Sequence, residues 1–415
     1  MADAPARAPS MTVLPRALAV VGVGSISGAG ATLAGIRAFY REARPRFEVA
    51  KTARDAYVVG RLSEGAERAF AAFVGERRSV RAFDRSAQLA AFAAREAIRV
   101  AGWQGGAPSG VAVGSSRGAT GLLEHHHEAF VRSPEARLPN RTSPLTTLGN
   151  ISSAVARELE VARLEADMAA DLSMTCSTAA VALLTGAAWL RAGFGTRYLC
   201  GGAEAPLTPF TLEQMGAVGV LSRGEFDPWP CRGSAASKPN SMVLAEGAAL
   251  IALEAHAAPG RALAYLAGLG SAVERAESLT AMNAEGAGLQ VAMRRALADA
   301  GLERVDAIVT HTPGTTLGDA AEIAAIRAVF GDELPVLVSN KWLIGHTLGA
   351  SAALSLAVAV DLLRGEPAPR YPYPVPFAQR EGTRAIRSVL VNSAGFGGIC
   401  TSFALTASEN DHEPR

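Results

Sequence analysis

The chain has 415 residues, 49% of them apolar and 19% charged, with a formal net charge of +1. That is enough apolar surface for a large core and more than one domain-sized unit, and so even a charge balance gives no electrostatic case for nucleic acid. The four cysteines, Cys176, Cys200, Cys231 and Cys400, are far apart and follow no metal-ligand pattern, which suits a reducing, cytoplasmic setting.

Met1 to Ser10 is rich in Ala and Pro and reads as a disordered start. Leu18 to Gly24 reads as a core strand, too short to span a membrane, followed by the turn Gly28-Ala-Gly and a helix over Ala31 to Arg41. Ser63 to Gly75 is a weaker helix. Gln88 to Gly102 is a strong one that Gly102 closes as a C-cap. Gly110 to Val113 is a strand. The run His125-His126-His127 invites a metal reading, but adjacent helical residues point in different directions and chelate poorly together, so a solvated surface run is the better account. Asn150 to Glu158 is a helix.

Met168 to Leu172 reads as the end of a buried strand, and Ser177 to Arg191 as a buried helix of small and aliphatic residues. Cys176 therefore sits where a strand turns into a helix. A thiol there is expected to feel the positive end of the helix dipole, which favours the nucleophilic thiolate. The alternative is a small buried hydrophobe. Leu172 to Leu190 is uncharged, but its Ser, Thr and Cys argue for a core helix over a membrane span.

Tyr198 to Gly202 is a strand, and residues 222 to 241, with three Pro and two Gly, read as a surface loop. After the strand Ala248 to Leu253 a similar order recurs. Ala262 to Leu269 is a strand. Gly288 to Gly301 is a helix whose Arg-Arg-Ala-Leu-Ala-Asp-Ala-Gly ending echoes Arg95-Glu-Ala-Ile-Arg-Val-Ala-Gly. Each helix is followed by a strand, Val111-Ala-Val in one case and Val305 to Thr310 in the other. Val336 to Ser339, the helix Ser351 to Leu363 and the strand Ser388 to Val391 follow, with a polar tail from Ser408 to Arg415. Strands alternating with helices predict mainly parallel sheets covered by helices.

Of seven His, two stand apart. His311 ends the strand Val305 to Thr310, and His346 lies between a strand and a helix. Both occupy the C-terminal strand edge, where active sites of parallel sheets gather. Gly395-Phe-Gly-Gly, after Ser388 to Val391, is a flexible turn that can either supply N–H groups to an oxyanion or simply reverse the chain.

These residues resemble the β-ketoacyl synthases of the condensing-enzyme (thiolase-fold) family from about Leu18 to Leu405. The resemblance rests on the Thr-Cys-Ser turn at Cys176, His311 with Asp319 and Glu322 behind it, Lys341 to Ala350 around His346, and Asn392-Ser-Ala-Gly-Phe-Gly-Gly. Gly201-Gly-Ala-Glu, Ala245-Glu-Gly-Ala and Arg77-Arg-Ser-Val-Arg also fit. It implies a duplicated, layered α/β/α/β/α fold with two similar halves, 15–255 carrying Cys176 and 256–408 carrying the two His.

It further implies that Cys176 holds an acyl group while His311 and His346 assist decarboxylation of a malonyl thioester. Backbone N–H groups of Cys176 and Phe396 would stabilise the oxyanion, with Phe396 as gate. Lys341 would charge-balance the His pair, supported by Glu322 and Asp319, and Thr315, Gly395 and Gly397 would contact substrate. No metal or organic cofactor is implied, because an acyl carrier protein delivers substrate on its phosphopantetheine arm. The resemblance also implies a homodimer, or a heterodimer with a related subunit, with Ala179, Ala180 and Ala187 allowing close approach. Arg77, Arg78 and Arg81 are candidates for docking the acidic carrier.

The chain departs from the family pattern at Thr312-Pro313, usually Gly-Thr. It departs again at Ser355, usually Glu, at Ala394, usually aromatic, and in the segment before Glu246, where only Phe226-Asp227 survives of Pro-Phe-Asp…Arg-Asp-Gly-Phe. These departures suggest secondary metabolism, and Asn-Lys-Trp with Gly-His-Thr-Leu-Gly-Ala-Ser resembles synthases of aryl-polyene or flexirubin pathways. A thiolase is disfavoured because Cys400 follows the Gly-rich turn, and a Cys-His-Asn initiation synthase because His346 fills the third place. The remaining alternative is a non-catalytic, chain-length-determining partner subunit, a type that generally lacks the Cys.

Overall fold

A computed structural model of the chain describes residues 17–105, 109–147, 150–163, 166–223, 240–275, 282–371, 375 and 385–409. The expected disordered start at Met1 to Ser10, residues 224–239 of the expected loop with Cys231, and tail residues 410–415 with His412 lie outside them.

The chain opens with β1 (Leu18–Ile26), α1 (Leu33–Glu42), β2 (Glu48–Lys51), β3 (Ala56–Gly60), α2 (Glu64–Glu76), α3 (Arg85–Ala101), β4 (Ser109–Gly114), α4 (Thr120–Arg132), α5 (Thr142–Thr146) and α6 (Ile151–Val161). Next come β5 (Ala166–Leu172), α7 (Thr178–Arg191), β6 (Arg197–Glu204), α8 (Pro209–Ala217), β7 (Leu244–Ala245) and β8 (Gly247–Glu254). The remainder forms β9 (Ala264–Val273), α9 (Ala287–Ala300), β10 (Ala307–Val309), α10 (Thr316–Phe330), β11 (Val336–Val338), α11 (Lys341–Ile344), α12 (Ser351–Leu363), β12 (Ser388–Gly395) and β13 (Ile399–Thr406).

Ten strands form one sheet in the order β11-β10-β12-β13-β9-β1-β8-β6-β4-β5. Outward from the centre, β1 meets β8 and β8 meets β6 antiparallel, and then β6, β4 and β5 run parallel. The other side repeats this: β9 to β13 and β13 to β12 are antiparallel, and then β12, β10 and β11 run parallel. The two sides join through a short antiparallel pairing of β1 with β9. The expectation of mainly parallel sheets is thus corrected to a mixed sheet. The cause is β8, which lies antiparallel between β1 and β6, and β13, which follows β12 through a tight turn with no crossover helix. A small sheet of β2, β3 and β7 lies apart.

The buried helices α7 and α12 pack on each other and touch strands of both sides. Helices α3 and α6 cover one outer face, and α9, backed by α10, covers the other. The result is five layers. Small residues set the spacing of the outer ones. A Cβ on Gly22 or Gly24 would lie 2.3 Å from Ala97 O or 2.0 Å from Ala93 O of α3. One on Gly268 or Gly270 would lie 2.1 Å from Ala296 O or 1.9 Å from Ala292 O of α9. Both helices end in the same cap. Gly102 at φ +63 and Gly301 at φ +70 donate to the carbonyls of Arg99 and Ala298, and the next residue donates one position further back. The echo between the two helix sequences is therefore a shared strand-on-helix unit.

Ala179, Ala180 and Ala187, expected to admit a second subunit, are instead fully buried within the chain. Their small size lets α7 lie against β4 and β6. Among the described residues no helix is long and apolar enough to cross a membrane.

Candidate active site

The turn between β5 and α7 is tightly determined. Met174 N–H donates to Thr178 Oγ1 (2.8 Å), which donates in turn to Thr175 O (2.7 Å). Thr175 is held at φ +50, a costly conformation for a residue with a branched Cβ. Cys176 follows it, 9% exposed. A second turn, between β12 and β13, is fastened against this one. Thr175 Oγ1 donates to Phe396 O (3.0 Å) and Ser177 Oγ to Ile399 O (3.2 Å). Gly395 is needed there, because a Cβ would lie 2.4 Å from Thr175 Oγ1.

His311 leaves the end of β10 and is 5% exposed. Its backbone is held from behind by Glu322 on α10. Glu322 Oε1 accepts from His311 N–H (2.9 Å) and Asn392 Nδ2 (3.0 Å), and Oε2 from Thr312 N–H (2.7 Å). Ser402 Oγ donates to Asn392 Oδ1 (2.9 Å), which fixes that amide. Asp319 Oδ1 accepts from Gly314 N–H (3.0 Å). His346 follows α11; its N–H donates to Val243 O (2.7 Å), and its carbonyl accepts from Ala245 N–H (3.0 Å). The two imidazoles meet edge to face, with ring centroids 5.3 Å apart.

Cys176, His311, His346, Thr315, Gly395 and Phe396 line one cavity of about 340 Å³. The rest of its wall is mainly apolar and includes Met215, Val220, Met242, Met282 and Leu317. The structure thus brings together the predicted nucleophile, both His, Phe396 and two of the three predicted substrate contacts. Gly397 does not line the cavity; at φ +85 it serves the reversal of the chain. Lys341, Glu322 and Asp319 are buried behind the wall. Arg77, Arg78 and Arg81 do not border the cavity, and Arg77 instead pairs with the buried carboxylate of Glu158. His125, His126 and His127 lie on α4, exposed or half-buried. A wider groove of about 1410 Å³ beside α1 and α2 is lined by charges that pair with each other, Arg85 with Glu67 and Glu246.

The electrostatics correct the expected thiolate. Burial pushes the Cys176 thiol up to about 12, the Glu204 carboxyl adds to the rise, and the Lys341 ammonium opposes it. On that balance Cys176, two residues before α7 begins, rests as a neutral thiol. Burial likewise holds both His well below their ordinary range, and the Lys341 charge pushes the same way. Both imidazoles are therefore neutral, each with one N–H to donate.

Sequence reasoning missed two features. The apolar wall comes from four separate stretches of chain, Met215 with Val220, Met242, Met282 and Leu317, and single Met residues carry no local signal. In the sequence Glu204 stands out only as part of the motif Gly201-Gly-Ala-Glu. It is fully buried at the end of β6 and accepts from Ser116 N–H and from Gly349 N–H (3.2 Å), so it ties the loop after β4 to the loop after His346. Burial raises its carboxyl to about 7.

Two family models match the chain, "Beta-ketoacyl synthase, N-terminal domain" over residues 33–258 and "Beta-ketoacyl synthase, C-terminal domain" over residues 263–371. Over 363 residues the chain is 30% identical to the 3-oxoacyl-[acyl-carrier-protein] synthase 2 of Coxiella burnetii, covering 81% of this chain and 85% of that one. Its fold matches a ketosynthase solved with its type II polyketide acyl-carrier protein and a hexaketide. There the TM-score is 0.79 at 21% identity, over 95% of this chain and 100% of that one. It also matches the ishigamide ketosynthase/chain length factor, with a TM-score of 0.79 at 24% identity, over 94% and 99%.

Proposed function

Because the chain belongs to the β-ketoacyl synthase family, we propose that it condenses a carrier-bound malonyl unit with an acyl group held on Cys176. The observation that carries this reading is the convergence of one thiol and two neutral imidazoles on a single apolar-walled cavity. Cys176 Sγ attacks the acyl thioester, the carrier thiol leaves with the proton, and a Cys176 thioester remains. A malonyl thioester then enters. Imidazole N–H groups of His311 and His346 hold its carbonyl oxygen as carbon dioxide departs, and the resulting carbanion attacks the acyl carbonyl. The Cys176 thiolate leaves and is reprotonated.

In both stages the backbone N–H groups of Cys176 and Phe396 serve the tetrahedral oxyanion. Phe396 closes the cavity beside the thiol. Lys341 balances charge across Cys176, the imidazoles and Glu322, while Glu322 and Asp319 hold the His311 loop. This chemistry calls for no metal or organic cofactor beyond the carrier's phosphopantetheine.

The proposal extends to an acyl carrier protein as substrate donor, to a dimer with itself or a related subunit, and to a cytoplasmic setting that keeps Cys176 reduced. The halves 15–255 and 256–408 are read as a duplication, on the repeated strand order and helix caps. The departures at Thr312-Pro313, Ser355 and Ala394 favour polyketide- or polyene-type synthesis.

Mass spectrometry after incubation with acyl-carrier protein tests the reading. The wild type should carry the acyl group on Cys176. Cys176→Ala should carry none and make no condensation product, yet still release carbon dioxide from malonyl-carrier protein. A wild type that neither acylates nor decarboxylates would favour the second reading, a chain-length partner, which the likeness to a ketosynthase/chain length factor structure keeps in view.

A further inference from the structure

We propose that Asn240 is a positioning residue that clasps the mouth of the cavity, holding together the two lips past which the arm of a carrier-borne thioester enters. The inference rests on the condensing reading above. One lip is the end of α8 and the turn after it, with Met215 and Val220; the other begins α10 and carries Pro313, Thr315 and Leu317. Leu317 is 76% and Val218 39% exposed while Cys176 is 9% and His346 1% exposed, so the outer edges of both lips lie at the surface and the candidate reacting groups at the floor.

Asn240 sits on the seam. Its Oδ1 accepts from Thr316 N–H (3.0 Å), and its Nδ2 donates to Gly219 O (3.1 Å). The next residues continue the stitching. Ser241 N–H donates to Gly314 O (2.8 Å) and Met242 N–H to Val220 O (3.1 Å). Residues 240–242 therefore run as a tie between the lips, and the Asn240 side chain reaches both.

The amide is what makes this possible. It donates and accepts at once, whereas a carboxylate only accepts. An Asp at this position could keep the bond from Thr316 but not the one to Gly219. The segment before Glu246 has lost most of its family pattern, so the clasp belongs to this chain's own way of shaping the entrance. Holding the lips affects how an extended arm is bound before and during reaction alike. Loss of such uniform binding raises KM and leaves kcat in place.

The test uses Asn240→Ala, which removes both bonds, and Asn240→Asp, which removes one, in the full-length protein. KM for malonyl-carrier protein should rise roughly fivefold for each clasp bond lost, with Asn240→Asp between wild type and Asn240→Ala and kcat within about twofold throughout. A second readout needs no condensation: alkylation of Cys176 by iodoacetamide and by a pantetheine-armed chloroacrylamide. The armed reagent should slow by the same factor as KM rises, and iodoacetamide should not. Unchanged KM, or both reagents slowing equally, overturns the clasp. If the wild type condenses nothing, the condensing reading fails, and the ratio of the two alkylation rates still decides: a lowered ratio in Asn240→Ala supports the clasp and an unchanged one overturns it.

Discussion

Replacing Glu322 by Gln is nearly isosteric, yet the surroundings of that carboxylate predict a large effect. Three donors converge on it: His311 N–H at 2.9 Å and Asn392 Nδ2 at 3.0 Å on Oε1, and Thr312 N–H at 2.7 Å on Oε2. Ser402 already occupies Asn392 Oδ1, so Asn392 cannot turn its oxygen inward. A Gln can satisfy at most one side. In its better orientation it keeps the His311 and Asn392 bonds and sets its own NH₂ against Thr312 N–H.

A buried donor left unpaired costs about 1–3 kcal/mol, and the surviving bonds weaken when their acceptor is no longer charged, so the total should be about 2–4 kcal/mol. Glu322→Ala orphans all three donors and should cost more. Because the donors include the backbone of His311 itself, decarboxylation of malonyl-carrier protein should fall together with stability, while acyl loading of Cys176 falls less. Urea denaturation followed by circular dichroism, with carbon dioxide release measured well below the midpoint, checks both. A Glu322→Gln protein with wild-type midpoint and wild-type decarboxylation would refute the account of how His311 is held.

The His pair gives a second prediction. His311→Ala or His346→Ala should each lower decarboxylation about 10²- to 10³-fold while acyl loading persists, and the double variant should be little worse than either single because they act on one oxygen; fully additive losses would show two independent roles. Glu204 gives a third. Its carboxyl is raised from 4.5 to about 7, so its stabilising contribution is complete below pH 4.5 and is lost as pH rises through 7. That loss amounts to about 3 kcal/mol. The two His have depressed values and act in the opposite sense, losing stability as pH falls through 6.5. Glu204→Gln should therefore lose less stability than wild type between pH 5 and 8 in thermal melts, and parallel curves for the two proteins would contradict this.

The residues of the candidate site were legible in the sequence because each stands at a break in local pattern. Cys176 interrupts an apolar strand-to-helix passage, His311 ends a strand segment, and His346 stands between a strand and a helix. The helix Ser351–Leu363 was legible to the residue, since its apolar run begins and ends sharply. Strand direction was not. A strand such as β13 looks the same whether it returns by a tight turn or after a helix, and only the turn Gly395–Gly398 marks the difference. Small residues on α7 were open to two explanations, a partner's approach or close packing inside the chain, and three-dimensional neighbours were needed to choose. The thiolate was misjudged for a similar reason. A helix dipole can be read from position in sequence, but desolvation depends on what closes over the sulfur.

That last correction bears on the order of events. With burial pushing the thiol up and both imidazoles down, desolvation disfavours moving the proton from Cys176 to a His as a separate step. It works against a standing thiolate–imidazolium pair. Under the condensing reading, proton loss accompanies attack, when the developing oxyanion gains its N–H donors and the departing carrier sulfur can take the proton. The same neutrality suits the second stage. A neutral imidazole donates a hydrogen bond to the enolate oxygen, whereas an imidazolium would be a strong enough acid to quench the carbanion before it reached the acyl-Cys176 carbonyl. An apolar-walled cavity that makes the nucleophile sluggish at rest is, by the same desolvation, one that keeps the carbanion from being protonated.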